Sequence, residues 1–189
     1  MTEHDLSAGG DVMDRVRGCA QDALAAYGGV GPAASVELLN VSENATFLVN
    51  DPDAGPSVLR VHRLGYHTEQ EIASELAWMD ALRAEAGVRT PRVLPAADGR
   101  RVVTVPEQGS ATERHCVRFE FLPGTEPGGS ADDPALTGAH FAELGEVTAR
   151  MHRHAQEWSR PAWFTRFHWD YPAASCNRPH RACWPKAAG

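Results

Sequence analysis

Apolar residues return at helical intervals in the stretch DVMDRVRGCAQDALAAY, residues 11–27, where Val12, Val16, Cys19, Ala23 and Ala26 share one side. Gly28-Gly29 then ends the pattern, so a first helix with a glycine stop is expected. Three short runs rich in β-branched and aliphatic residues follow Gly31-Pro32: SVELLNV, TFLVN and SVLRVH. The link DPDAGPS between the last two is dense in Asp, Pro and Gly, which predicts a meander of three antiparallel strands.

The segment TEQEIASELAWMDALRAEA, residues 68–86, puts Ile72, Leu76, Met79 and Leu82 on one stripe, and Thr68 with Glu71 fits a capping box. Pro91 interrupts the chain, and RRVVTV and HCVRFEFL then read as two further strands separated by the polar loop PEQGSATER. Five strands with one helix inserted after the third is the predicted order. PGTEPGGSADDP is a loop by composition. Beyond it, Phe141, Leu144, Thr148, His152 and Ala155 line one side of a long helix over about residues 136–158. The last stretch, PAASCNRPHRACWPKAAG, has no period of either kind.

Composition narrows what such a chain can do. Hydrophobic residues at 42% and charged residues at 23% of 189 positions match a packed globular protein. The formal charge of −7 and pI near 5.7 argue against a nucleic-acid binder, which needs clustered Lys and Arg. A small anion held by one or two local cations stays open. The start MTEHDLSAGGDVMD is polar and acidic where a signal peptide would be basic and then apolar, and no membrane-spanning run occurs, so a cytoplasmic protein is expected. Cys19, Cys116, Cys176 and Cys183 show no framework spacing and read as free thiols. Cys176, His180 and Cys183 are too few and too irregularly placed to argue for a metal site. The sequons Asn40-Val41-Ser42 and Asn44-Ala45-Thr46 carry no meaning without a secretory signal.

The segments SENATFLV, SVLRVHRLGYHTEQEIASELAWMDAL, VRFEFLPGTEP and LGEVTARMHRHAQEW resemble the aminoglycoside phosphotransferase family, most closely its type II homoserine kinase and bacterial stress-response kinase branch. The resemblance covers about Ser35 to Asp170. It implies an α+β fold: a protein-kinase-like amino-terminal lobe, with a five-stranded antiparallel sheet and one inserted helix, plus the first helix of an incomplete carboxy-terminal lobe. The implied division is an amino-terminal helical segment at 1–34, a nucleotide-binding lobe at 35–122, a connector at 123–135, the start of the second lobe at 136–170 and an irregular tail at 171–189. The implied cofactors are ATP and Mg2+, and the implied activity is phosphoryl transfer to an alcohol group.

A kinase lobe needs a cation on its third strand to hold the α- and β-phosphates, steadied by a carboxylate on the helix. Arg60 stands where the wider pattern has Lys, and members of this branch resemble the chain in having Arg there. Glu75 lies about 60° from Ile72 and about 100° from Leu76 on a helical wheel, at the flank of the apolar stripe, and is the expected partner. On periodicity alone a solvated Glu75 is an equal alternative. Ser42, Asn44, Ala45 and Thr46 occupy the position of a phosphate-covering loop, without glycine but with small side chains; an ordinary polar turn is the other reading. Glu120, Phe121 and Leu122 take the place of the hinge whose backbone meets adenine. His152 matches the family's helical histidine, read as structural, and His62, His67, His115 and His154 are expected at the surface.

The catalytic loop is not found. His168-Trp169-Asp170 is the one late HxD triplet, but the residue five beyond Asp170 is Ser175 where a metal-binding Asn is needed, and Asn177 is out of register. No catalytic residue and no metal ligand is therefore assigned. The resemblance stops at Tyr171, the pattern expected of a chain truncated by a reading-frame change. Three readings follow: a phosphotransferase acting on a small-molecule or protein hydroxyl, a non-catalytic nucleotide-binding or interaction module, and an inactive fragment. An isolated lobe is expected to expose the apolar surface of its missing partner and to self-associate through it.

Overall fold

A computed structural model describes residues 3–124 and 138–167. The elements run α1 (Glu3–Leu24), β1 (Ser35–Val41), β2 (Asn44–Asn50), β3 (Ser57–His62), α2 (Glu69–Glu85), β4 (Val93–Leu94), β5 (Val103–Pro106), β6 (Glu113–Glu120) and α3 (Gly138–Glu157). The α+β architecture is the expected one. All strand pairs are antiparallel, in the order β1-β2-β3-β6-β4, with β5 also pairing β6. The sheet has one strand more than the sequence pattern predicts. Val93-Leu94 is too short to show a period of two, and it pairs with Phe119 and Arg118 only because β5 leaves that half of β6 uncovered.

Each turn has a local cause. Ser42 N–H donates to the Asn44 carbonyl at 3.1 Å and closes the β1–β2 turn. Between β2 and β3, Asp51 accepts from the N–H groups of Gly31, Asp53 and Ala54 at 2.9, 3.0 and 3.3 Å. Those bonds, Gly31's first, hold its carboxyl below the usual carboxylate range. Gly55 completes this turn at φ +81°, a conformation that a residue with a Cβ rarely adopts.

Alternation along the strands gives the sheet two apolar faces. On one, Phe47, Val49, Leu59, Val61 and Cys116 pack against Val16, Cys19, Ala20, Ala23 and Tyr27 of α1 and its exit. On the other, Ile72 and Leu76 of α2 pack with Val102, Val117 and Phe119. Each fully buried Leu, Val or Phe contributes about 1.5–3 kcal/mol by area. The predicted capping box at the start of α2 is formed: Thr68 Oγ1 accepts from Glu71 N at 3.2 Å, and Thr68 N donates to Glu71 Oε2 at 2.9 Å.

The third helix is where the apolar stripe misleads. Phe141 and Leu144 are each 62% exposed and His152 is exposed, while His154 is buried. The helix meets α2 through Met151, His154, Ala155 and Trp158, a face turned about a quarter turn from the predicted one. His154 Nδ1 accepts from Trp78 Nε1 at 3.3 Å, and its Nε2 lies 3.2 Å from Glu85 Oε2. His154 therefore fills the packed structural role expected of His152. Residues 125–135 of the expected connector, the triplet at 168–170 and Cys176, His180 and Cys183 lie outside the described residues.

Candidate functional site

Strand β3 presents Arg60 on the α2 face of the sheet, opposite Thr46 of β2 and Val117 of β6. The guanidinium lies over the Phe119 ring, 5.1 Å from its centroid, and its Nη1 donates to Glu75 Oε1 at 2.8 Å. Glu75 reaches it because α2 packs on this face through Ile72 and Leu76 and leaves position 75 at the edge of the contact. The side chains are 29% and 24% exposed, so the pair is partly open to solvent on the α2 face of the sheet. The bond to Glu75 is Arg60's one hydrogen bond among the described residues. A guanidinium carries five N–H donors, so most of its capacity is left for an external anion.

Arg166 is a residue that the sequence pattern gave no reason to select. Its Nη1 donates to Glu75 Oε2 and to the Glu71 carbonyl, both at 3.2 Å. The chain after α3 crosses α2 here: Trp163 O accepts from Gln70 Nε2 at 2.8 Å, and Thr165 N donates to Ser74 Oγ at 3.0 Å. Phe167 stacks on His67, with ring centroids 5.1 Å apart. Arg166 lies in an aperiodic segment 91 residues from its partner, so no local spacing could have revealed it.

The residues of the β1–β2 turn divide between the two faces. Thr46 and Asn44 stand opposite Arg60 and His62 and share their face. Asn44 Oδ1 accepts from Arg63 N at 3.3 Å, and Arg63 also pairs with Glu43 at 3.2 Å, which ties the turn to the end of β3. The methyl group of Ala45 is fully buried in the α1 core, so only its backbone faces the turn. Ser42 is exposed at the tip. At the far end of the sheet, Glu120 closes strand pairing: its N–H donates to the Arg92 carbonyl and its Oε1 accepts from Arg92 N, each at 2.9 Å. Phe121 follows at 39% exposure, with Leu122 half-buried.

The four histidines expected at the surface are not simple surface residues. His62 is 2% exposed, and neither ring nitrogen has a protein hydrogen-bond partner among the described residues. Burial, and after it the charges of Arg60, His67, His115 and Arg166, push its imidazole down to about 3 and keep it neutral. His67 is packed under Phe167, and burial likewise lowers it. His115 Nδ1 lies 3.0 Å from Thr104 Oγ1, and His154 is buried as described. Alternation explains His62: two places beyond Arg60, it must take the same inward face.

Chemically, this part of the α2 face offers a cation with spare donors, Arg60, a carboxylate that orients it and a hydroxyl on the neighbouring strand, Thr46. That set suits a phosphate-bearing ligand. No three His, Cys, Asp or Glu groups are placed to hold a metal ion among the described residues. No described helix is long and apolar enough to cross a membrane.

A model of the phosphotransferase enzyme family matches residues 36–188. The chain belongs to this family. The matched range runs through the segment from Tyr171 onward, where the sequence pattern set the end of the resemblance. Among solved structures, this phosphotransferase-family chain is similar to a microcompartment-associated aminopropanol kinase, with 49% identity and a TM-score of 0.68 over 81% of its own length and 45% of that chain. It shares the fold of the amicoumacin kinase hAmiN, solved with AMP-PNP, Ca2+ and Ami: 20% identity, TM-score 0.66, 84% of this chain and 46% of that one. A curated relative, an uncharacterized protein of Deinococcus radiodurans, is 35% identical over 91 residues, or 48% of this chain and 26% of the relative. The chain thus spans less than half the length of each of these relatives.

Proposed function

We propose that the chain supplies the nucleotide-binding lobe of an ATP-dependent kinase whose acceptor is the hydroxyl group of a small amino alcohol. The observation that carries this reading is Arg60, held by Glu75 at 2.8 Å on the third strand with its remaining donors uncommitted. ATP supplies the transferable phosphoryl group. Arg60 binds the α- and β-phosphate oxygens, and Glu75 fixes the direction of its guanidinium. Ser42 and Thr46, with the backbone of Asn44 and Ala45, face the phosphates, and the backbone of Glu120, Phe121 and Leu122 meets the adenine edge. Mg2+ accompanies the nucleotide, and no ligand for it is assigned among the described residues. The amino-alcohol acceptor is supported by the 49% identity to the aminopropanol kinase. A protein hydroxyl is the competing acceptor class. The second reading, nucleotide binding without turnover, is favoured by the register of His168-Trp169-Asp170, which puts Ser175 where an Asn is required.

The test is direct. At a hundredfold excess over Kd, MgATP should stabilise the fold by about 2.7 kcal/mol, a rise in Tm of roughly 5–10 °C. Arg60→Ala should abolish the rise. Wild-type protein that shows no shift with MgATP sinks the nucleotide reading. ADP release with aminopropanol, and none with a serine-rich protein substrate, separates the two acceptor classes; binding without ADP release selects the second reading.

A further inference from the structure

Glu75 is held by two arginines, one on each oxygen: Arg60 Nη1 at 2.8 Å from Oε1 and Arg166 Nη1 at 3.2 Å from Oε2. An unshared carboxylate facing an arginine tends to take it fork to fork through two parallel hydrogen bonds, which occupies the donors a phosphate would use. Here that arrangement is not formed: Oε2 is turned to Arg166, and Arg60 meets Oε1 alone. Arg60 makes a single bond to Glu75, and all three side chains are between a quarter and a third exposed, within reach of a ligand. The arginine on the far oxygen is itself fixed. Its guanidinium also donates to the Glu71 carbonyl, and its backbone neighbour Thr165 is bonded to Ser74, so it does not follow Glu75 if the carboxylate turns.

We infer that Arg166 is a positioning residue for the nucleotide site: by holding Oε2 of Glu75 it keeps Arg60 singly bonded and open to phosphate. This rests on the reading of Arg60 as the phosphate-binding cation. The cluster of two guanidiniums and one carboxylate carries a net charge of +1, so it also attracts an anion, where an Arg60–Glu75 pair alone would be neutral.

Two measurements on the full chain test it. The first needs no nucleotide: the rate of phenylglyoxal addition at Arg60, mapped by peptide mass spectrometry, should fall several-fold in Arg166→Gln, as Glu75 closes on Arg60, and should stay at the wild-type rate in Arg166→Lys. A merely structural Arg166 predicts the opposite, a loosened and more reactive Arg60, and that result overturns the inference. The second is MgATP affinity. Arg166→Gln should weaken binding by about tenfold, the worth of one charge-assisted hydrogen bond. Adding Glu75→Gln should recover part of that loss by releasing Arg60. Losses that simply multiply in the double variant refute the positioning role. Wild-type protein that does not bind MgATP defeats the nucleotide reading instead, and the Arg60 reactivity then decides whether Arg166 governs it.

Discussion

Acid should unfold this protein through His62. In the folded protein the imidazole is 2% exposed, lacks a protein partner on either nitrogen among the described residues, and is pushed down to about 3 by burial and by Arg60, His67, His115 and Arg166 around it. In the unfolded chain it titrates near 6.5. Between these values the unfolded state binds the proton and the folded state does not, so stability rises with pH through this window and is fully present above about 6.5. Moving from pH 7 to pH 5 should therefore remove about 2 kcal/mol through this one residue, with a ceiling of roughly 5 kcal/mol near pH 3. The assay is urea unfolding at pH 7, 6 and 5 for wild-type protein and His62→Phe. The variant cannot titrate and leaves no buried ring nitrogen unpaired, so it should match or exceed wild-type stability at pH 7 and lose about 2 kcal/mol less on the way to pH 5. Identical pH slopes for the two proteins would show that His62 has a partner or an opening that keeps it near its ordinary value, and the argument from burial would fail.

Three further outcomes follow from contacts away from the site. Thr68→Ala removes the side chain that accepts from Glu71 N, and should cost about 1 kcal/mol of stability, read as a lower Tm. Glu107→Ala strips a buried partner from Arg114, whose Nη2 lies 2.8 Å from Glu107 Oε1 with both side chains 5% exposed; breaking this buried ion pair should cost about 3–5 kcal/mol in urea unfolding. Phe47→Ala opens a cavity where the fully buried ring meets α1, and should cost about 3–5 kcal/mol by the same measurement.

The meander, α2 and its capping box were legible because each rests on near neighbours in sequence: alternation in SVELLNV, the 3.6-residue stripe through Ile72 and Leu76, and Thr68 three places before Glu71. The Arg60–Glu75 juxtaposition was legible through the family resemblance, since periodicity alone left a solvated Glu75 equally open. What was hidden depends on docking. The third helix carries apolar residues on two sides, and only its packing on α2 decides that Met151 and Ala155 turn inward while Phe141 and Leu144 do not. The segment 163–167 has no period, and Arg166 acquires meaning only when that segment crosses α2. His62 could have been placed: it follows Arg60 by two in a strand, and the same alternation that aimed Arg60 buries it.

Strand β6 joins both halves of the sheet, pairing β3 along one edge and both β4 and β5 along the other, yet it comes about fifty residues after β3. During synthesis at roughly 5–20 residues per second, that interval lasts roughly 3–10 s, whereas a hairpin such as β2–β3 forms within about 1–10 μs. The emerging chain therefore holds a finished meander whose β3 edge, from Ser57 to Val61, has its backbone groups unpaired for seconds. On the ribosome this edge is the segment most in need of protection, and slowing translation anywhere between His62 and Glu113 should raise the fraction of chains lost to aggregation.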